Sequence, residues 1–154
     1  MLKLYSRYSE LDIKLILNVY KDAISRDYPT RSTWESPEAL FLDDLRIFFK
    51  ATNSRLAVWE HENVPVSALR LEAYKDGFLI SCLETPPRLR RKGYAMLLMK
   101  AVVASGVGPF YAHVAKDNIP SLRLHEKAGF MKLSDHAVFV DGSVYSSALT
   151  LIRK

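Results

Sequence analysis

The stretch from Phe78 to Ser105 constrains the fold more than any other part of the chain. Phe78 to Thr85 is apolar enough for a buried strand, and Pro86-Pro87 ends it, since neither proline offers an N–H to a sheet ladder. Arg88-Leu89-Arg90-Arg91-Lys92-Gly93 turns the chain, and an apolar helix follows from about Arg91 to Ser105. A strand delivered through a glycine turn into a helix N-terminus makes an anion site. Unpaired N–H groups converge there, the helix dipole adds partial positive charge, and glycine permits close approach. Four cationic side chains within five residues (Arg88, Arg90, Arg91, Lys92) strengthen it. Taken alone, that run would read as a solvated basic loop, a nuclear-targeting signal or a nucleic-acid contact. The strand and helix on either side favour a small anion.

The flanking elements agree with a single mixed domain. Met1 to Ser6 reads as a short strand, and Ser9 with Asp12 as a helix start, with Leu15, Ile16, Val19, Tyr20 and Ala23 at helical spacing. Ser36-Pro37 opens a second helix whose stripe is Leu40, Leu45, Phe48 and Phe49. Strands Arg55 to Glu60 and Pro65 to Tyr74 lead into Phe78 to Thr85 through turns at Glu62-Asn63 and Asp76-Gly77. After the apolar helix come a strand from Pro109 to Ala115 and a helix from Ile119 to Ala128, stopped by Gly129. Two strands, Met131 to Val140 and Ser143 to Ile152, flank a hairpin turn at Asp141-Gly142. The order β-α-α-β-β-β-α-β-α-β-β, with no linker or repeat, predicts one α/β domain over residues 1–154.

Charge is unevenly placed. The chain carries +5, yet residues 88–132 hold nine bases against two acids, or +7, and the rest is −2. A generally basic surface for tracking nucleic acid is therefore not expected. At 49% hydrophobic and 25% charged residues, the chain is not a disordered one. Cys82, the only cysteine, excludes an internal disulfide and a cysteine-based zinc site; its apolar neighbours predict a buried, inert thiol. The four histidines lack ligand spacing, so no metal is expected. No apolar run approaches the ~20 residues of a membrane span, and MLKLYSRYSELD lacks a signal-peptide core. No membrane partner and a cytoplasmic location are the resulting expectations.

Two motifs carry a resemblance. Arg90-Arg91-Lys92-Gly93-Tyr94-Ala95, with Pro87 just before it, resembles the pyrophosphate-binding pattern Arg/Gln-x-x-Gly-x-Gly/Ala of the GCN5-related N-acetyltransferases. Asn118-Ile119-Pro120-Ser121-Leu122-Arg123-Leu124-His125-Glu126-Lys127-Ala128-Gly129-Phe130 is similar to that family's second signature, Asn-x-x-Ala/Ser-x-x-Leu-Tyr-Glu-Lys-x-Gly-Phe. The likeness implies a central mixed, mostly antiparallel sheet of about seven strands flanked by about four helices. It implies transfer of an acyl group, acetyl in the first place, from acetyl-CoA as cosubstrate to a primary amine in a ternary complex. By the same likeness, N–H groups from Arg91 to Met96 (Arg91, Lys92, Gly93, Tyr94, Ala95, Met96) would hold the pyrophosphate of coenzyme A, with Arg90 beside them. Arg88, Lys92 or Arg123 would meet its 3′-phospho-ADP part. The main chain of Leu83, Glu84 and Thr85 would pair with the pantetheine arm and supply an oxyanion donor. Asn118 would contact the cosubstrate or cap its helix, and Ser121 would lie beside it.

The chain departs from the family at His125, where the pattern has a tyrosine placed to protonate the leaving thiolate. His125 is the candidate donor, with Ser121 one turn before it, or else a packing residue. Glu84, Glu72 and His113 are candidate general bases, each equally readable as an ordinary strand residue. Trp34, Trp59 and Phe78 are expected in the core rather than in an acceptor pocket. Two further readings stand beside the enzyme: a coenzyme A-binding sensor without turnover, and an acetyltransferase acting on charged tRNA. The acceptor, whether a small molecule or a peptide amine, cannot be read from the motifs, and monomer and homodimer both stay open.

Overall fold

A computed structural model describes residues 1–28, 34–106 and 108–154. Its strands are β1 (Leu2–Tyr5), β2 (Arg55–His61), β3 (Val64–Tyr74), β4 (Gly77–Glu84), β5 (Phe110–Ala115), β6 (Met131–Ser134), β7 (Ala137–Val138), β8 (Val144–Tyr145) and β9 (Ala148–Arg153). The helices are α1 (Ile13–Asp27), α2 (Pro37–Lys50), α3 (Tyr94–Ser105) and α4 (Ile119–Lys127). Seven strands form one sheet in the order β1-β2-β3-β4-β5-β9-β6, and β7 pairs with β8 apart from it. Every adjacent pair in the large sheet is antiparallel except β4–β5. That pair is joined through α3, as a parallel connection requires a crossover.

Two apolar layers enclose the sheet. Leu56, Val58 and Ala68 pack under α1 and α2, with Ile16, Val19, Tyr20, Phe41 and Leu45. Ala57, Leu69, Leu71 and Ile80 point the other way, against Leu98, Met99 and Val102 of α3 and against Phe130. Strand alternation thus feeds both layers, which is why β3 is buried almost continuously.

Local chemistry sets the boundaries. Ser36 accepts from the Ala39 N–H with Pro37 at the first helical position. The first helix starts later than Ser9: Asp12 is the cap, accepting from the Leu15 N–H, and Ser9 sits in a short preceding 3₁₀ turn. The apolar helix begins at Tyr94, not Arg91, because Arg91 (φ 62°) and Gly93 (φ 83°) are left-handed. Each of the two long C-terminal strands breaks in two, as β6 and β7 and as β8 and β9; the turn at Asp141-Gly142 is kept by the Gly142 N–H on the Phe139 carbonyl. Trp59 and Phe78 pack against the core, whereas Trp34 is fully exposed and forms no part of it.

The β3–β4 turn is Lys75-Asp76, with Tyr74 already paired to Gly77. Gly77 is required by proximity instead: an added Cβ would lie 1.8 Å from the Pro109 carbonyl oxygen, which accepts from the Phe78 N–H. Backbone cannot yield as a side chain can, so Gly77→Ala should destabilise the fold by about 3 kcal/mol or more. The denaturant midpoint measures this, with an unchanged slope showing that stability alone has moved.

Candidate functional site

The site begins where two strands part. β4 and β5 pair only through Phe78–Phe110, Leu79–Tyr111 and Ile80–Ala112. On its other edge β4 slips against β3, since Ala68 pairs with Glu84 but Arg70 pairs with Ser81. Cys82 and Leu83 therefore oppose Leu69 alone, a β-bulge. Cys82 takes φ 51° and its side chain is exposed, which overturns the expected buried thiol. The bulge breaks the in–out alternation, so Cys82 faces outward although its neighbours are apolar.

Side chains replace the lost ladder. The Tyr20 hydroxyl donates to the Cys82 carbonyl at 2.9 Å. Ser67 donates to the Glu84 carbonyl at 3.0 Å and lies 2.9 Å from the Thr85 hydroxyl. Arg90 Nε donates to the Thr85 carbonyl at 2.9 Å, and its Nη2 pairs with Asp22 at 3.1 Å. Ser67 is fully buried and Tyr20 nearly so, so these carbonyls are held from within the core. The other edge of β4, facing the gap beyond Ile80, has no strand beside it.

Beyond the gap lies the basic turn. α1, α2 and α4 each have a side-chain cap (Asp12, Ser36, Asn118); α3 starts from Gly93 with none. Among the described residues, no backbone acceptor meets the N–H groups of Tyr94, Ala95 or Met96. With Arg91 and Gly93 both left-handed, the turn curls into a concave array of N–H groups, the arrangement that receives anions. A Cβ at Gly93 would meet nothing within 4 Å, so the approach is open.

A cavity of about 590 Å³ joins these parts, lined by Leu83, Glu84, Thr85, Arg90, Arg91, Ala95, Asn118 and Ser121. A second, of about 200 Å³, is lined by Thr85, Arg90, Arg91, Gly93, Tyr94, Ala95 and Met96. The structure thus brings together the residues expected to hold a cosubstrate, apart from Arg88, Lys92 and Arg123, which are exposed and line neither cavity. Glu84 is engaged by Arg26 at 2.8 Å and by Arg90 at 3.7 Å. Burial pushes the Glu72 carboxyl up from its ordinary value, with Arg70 opposing. His113 lies between the Tyr74 and Phe139 rings with both ring nitrogens sealed and unpartnered, and burial lowers its pKa.

His125 stands apart from the cavities. Asn118 Oδ1 caps α4 by accepting from the Ser121 N–H. At the other end the Phe130 N–H reaches the His125 carbonyl, and the Gly129 N–H reaches that of Glu126. Between them His125 is 4% exposed, packed edge-on against the Phe130 ring, with Nδ1 2.8 Å from the Ser121 carbonyl oxygen. A carbonyl only accepts, so Nδ1 carries the proton. Burial lowers the pKa, with the Ser121 bond opposing. Burial thus favours the uncharged ring, and the Nδ1 proton is engaged by the Ser121 carbonyl, both of which weigh against the expected donor role.

A family model, described as the acetyltransferase (GNAT) family, matches residues 16–130. The chain belongs to that family. Solved structures share the whole fold. A ribosomal-protein-alanine N-acetyltransferase from Brucella melitensis superposes with a TM-score of 0.67 at 17% identity, over 99% of this chain and 98% of that one. The PaiA N-acetyltransferase from Thermoplasma acidophilum, solved in complex with coenzyme A, gives 0.66 at 12% identity over 100% and 99%. The ribosomal-protein-S18-alanine N-acetyltransferase from Escherichia coli gives 0.63 at 14% over 99% and 92%. At these identities the likeness is one of fold. No curated protein sequence matches the chain. Among the described residues, no helix is long and apolar enough to cross a membrane.

Two residues that hold the end of β4 escape the sequence motifs, Tyr20 and Ser67. Ser67 is a polar side chain inside the apolar run from Val64 to Leu69, which is the signal that could have marked it, whereas Tyr20 reads only as part of a helix stripe.

The lowered His125 pKa has a consequence for stability. An unfolded chain binds this proton near pH 6.5 and the folded chain only below that. Stability therefore falls as pH drops through about 6.5, by up to ~1.4 kcal/mol per pH unit for each such group. His113 has the same sign. His125→Leu should remove one of the two shares, so that unfolding midpoints fall less steeply with acid than in the parent. Equal slopes would mean that His125 protonates as readily folded as unfolded.

Proposed function

We propose that the chain is an acyl-CoA-dependent N-acyltransferase, transferring acetyl from acetyl-CoA to a primary amine by direct attack. The observation that carries this is the continuity of the open β4 edge with the uncapped start of α3. One end offers main-chain groups to an extended amide-containing arm, and the other offers an anion nest to phosphates. Membership of the acetyltransferase family supports the reaction class, and the coenzyme A complex of the Thermoplasma neighbour supports the cosubstrate.

The acyl thioester is a substrate and supplies an activated carbonyl. The chain's part is to bind, orient and polarise. N–H groups from Arg91 to Met96 receive the pyrophosphate, with Lys92, Arg88 and Arg123 as exposed cations around it. The gap edge of Leu83 to Thr85 aligns the pantetheine arm, and an N–H there stabilises negative charge developing on the carbonyl oxygen. The amine nitrogen adds to the carbonyl carbon, the C–N bond forms and the C–S bond breaks. An ammonium acceptor gives up one proton before attack and its nitrogen gives up a second after it; the thiolate takes one up and one is released to solvent. No redox step and no metal is needed. Proximity supplies much of the rate, because two substrates held in one gap react as if joined.

Incubation with acetyl-CoA and an amine panel should release free thiol. Coenzyme A binding without thiol release for any amine would replace the enzyme with a binding module. Arg88→Gln with Lys92→Gln should raise the KM for acetyl-CoA about 3- to 10-fold at low salt, and the difference should shrink at high salt as screening sets in. An unchanged KM at every ionic strength would remove both side chains from the phosphate site.

A further inference from the structure

On the opposite side of the bulge from the uncapped helix start lies a third cavity, of about 320 Å³. It shares Arg26 and Glu84 with the larger cosubstrate cavity, so the two meet at the end of β4. Tyr20, Tyr28 and Phe41 give it aromatic walls, and the exposed Cys82 lies in its lining.

Its charges are not all balanced from within. Asp27 is held by Arg26 at 2.9 Å, Glu84 by Arg26 at 2.8 Å, and Asp44 accepts from the Tyr28 hydroxyl. Arg70 is the exception. Its guanidinium makes no ion pair or hydrogen bond with any described residue, and its Nε is both sealed from water and unpartnered. The Phe41 and Phe48 rings lie 5.7 and 5.2 Å from its central carbon. Those rings fix the plane of the guanidinium by cation–π contact but satisfy none of its N–H groups. Nε alone is sealed; the Nη groups, which meet no acceptor among the described residues, keep access to the cavity and can receive an acceptor arriving with a ligand. Among the described residues, the rest of the charged lining is Asp27, Asp44 and Glu84 against Arg26.

We propose that this cavity holds the acceptor, and that Arg70 selects amines that also carry an oxyanion, with amino-acid carboxylates as the first class. The inference rests on the acyltransferase reading of the adjoining gap. The flat fork of Arg70 takes the carboxylate, the acidic side of the lining attracts the ammonium end, and the aromatic walls take an apolar side chain. A cavity of about 320 Å³ is the size of a single small molecule. Plain polyamines would leave Arg70 unmatched and would place like charges together.

The experiment pairs amino acids with their decarboxylated counterparts: L-phenylalanine with 2-phenylethylamine, L-leucine with isoamylamine, L-lysine with cadaverine. 2-Aminoethylphosphonate distinguishes a phosphonate from a carboxylate. Two readouts are taken, thiol release from acetyl-CoA and the rate at which iodoacetamide labels Cys82, the only cysteine in the chain. Amino acids should be acylated with a kcat/KM at least ~10-fold above their counterparts and should slow Cys82 labelling, whereas the counterparts should not. Arg70→Met should raise the acceptor KM about 10- to 100-fold with a smaller change in kcat, and Arg70→Lys should recover part of the loss. It should leave the KM for acetyl-CoA unchanged, which separates this role from a general loss of structure. Protection of Cys82 by amino acids without thiol release would keep the cavity assignment and refute the enzyme. Turnover of plain amines as good as that of amino acids would keep the enzyme and refute the role of Arg70. So would an Arg70→Met variant with unaltered acceptor KM, or a panel in which no zwitterion protects Cys82 at millimolar concentration.

Discussion

The molecule depends on a sheet interrupted at one place. β4 is paired on both sides up to Ile80 and on one side only thereafter. An open edge in the middle of a sheet is expensive, because its main-chain groups lose ladder partners without fully regaining water. The chain limits that cost from the other side. Tyr20, Ser67 and Arg90 each take a carbonyl of the segment from Cys82 to Thr85. Pro86 and Pro87 follow at once and contribute no donors that would need satisfying. The gap is thus held by two partly buried hydrogen bonds, from Tyr20 and Ser67, and an exposed one from Arg90.

The net charge of +7 in residues 88–132 takes a more particular meaning in three dimensions. Arg90 is turned inward onto Asp22, Glu84 and the Thr85 carbonyl, and Lys132 pairs with Asp135. Arg88, Arg91, Lys92 and Arg123 make no ion pair among the described residues and are exposed near the turn and α4. Lys100 and Lys127 instead line a separate shallow cavity with Arg153, beyond the C-terminal end of α3. One-dimensional counting merged three groups of cations with different surroundings.

Local rules were legible wherever a few neighbouring residues decide the outcome. Ser36-Pro37, Asn118 and Gly129 mark their helix ends as caps and stops should, and both cosubstrate motifs converge on one pair of cavities. What failed required information from distant parts of the chain. Cys82 looked buried because its neighbours are apolar, yet the slip against Ala68 and Arg70 turns its side chain outward. Gly77 looked like a turn residue, although the Pro109 carbonyl is what excludes a side chain there. The burial of His125 against Phe130, which lowers its pKa, was likewise invisible in the motif. Trp34 shows the opposite error, since a large aromatic residue carries no obligation to be inside.

A single helix ties the two candidate substrate sites together. α1 sends Tyr20 to the Cys82 carbonyl, Asp22 to Arg90 and Arg26 to Glu84, three bonds to the same end of β4 and the turn after it. Tyr20 and Arg26 also line the cavity assigned to the acceptor. The tilt of α1 therefore fixes both the bulge that would face a thioester in the proposed reaction and the wall against which an amine would lie. Because the Tyr20 bond is buried whereas Asp22 and Arg26 are about half exposed, the hydroxyl is the stiffest of the three links. Displacing α1 at that point would shift acceptor and acyl group relative to each other without altering either binding surface. In a reaction governed by proximity, such a shift of an ångström costs rate before it costs affinity.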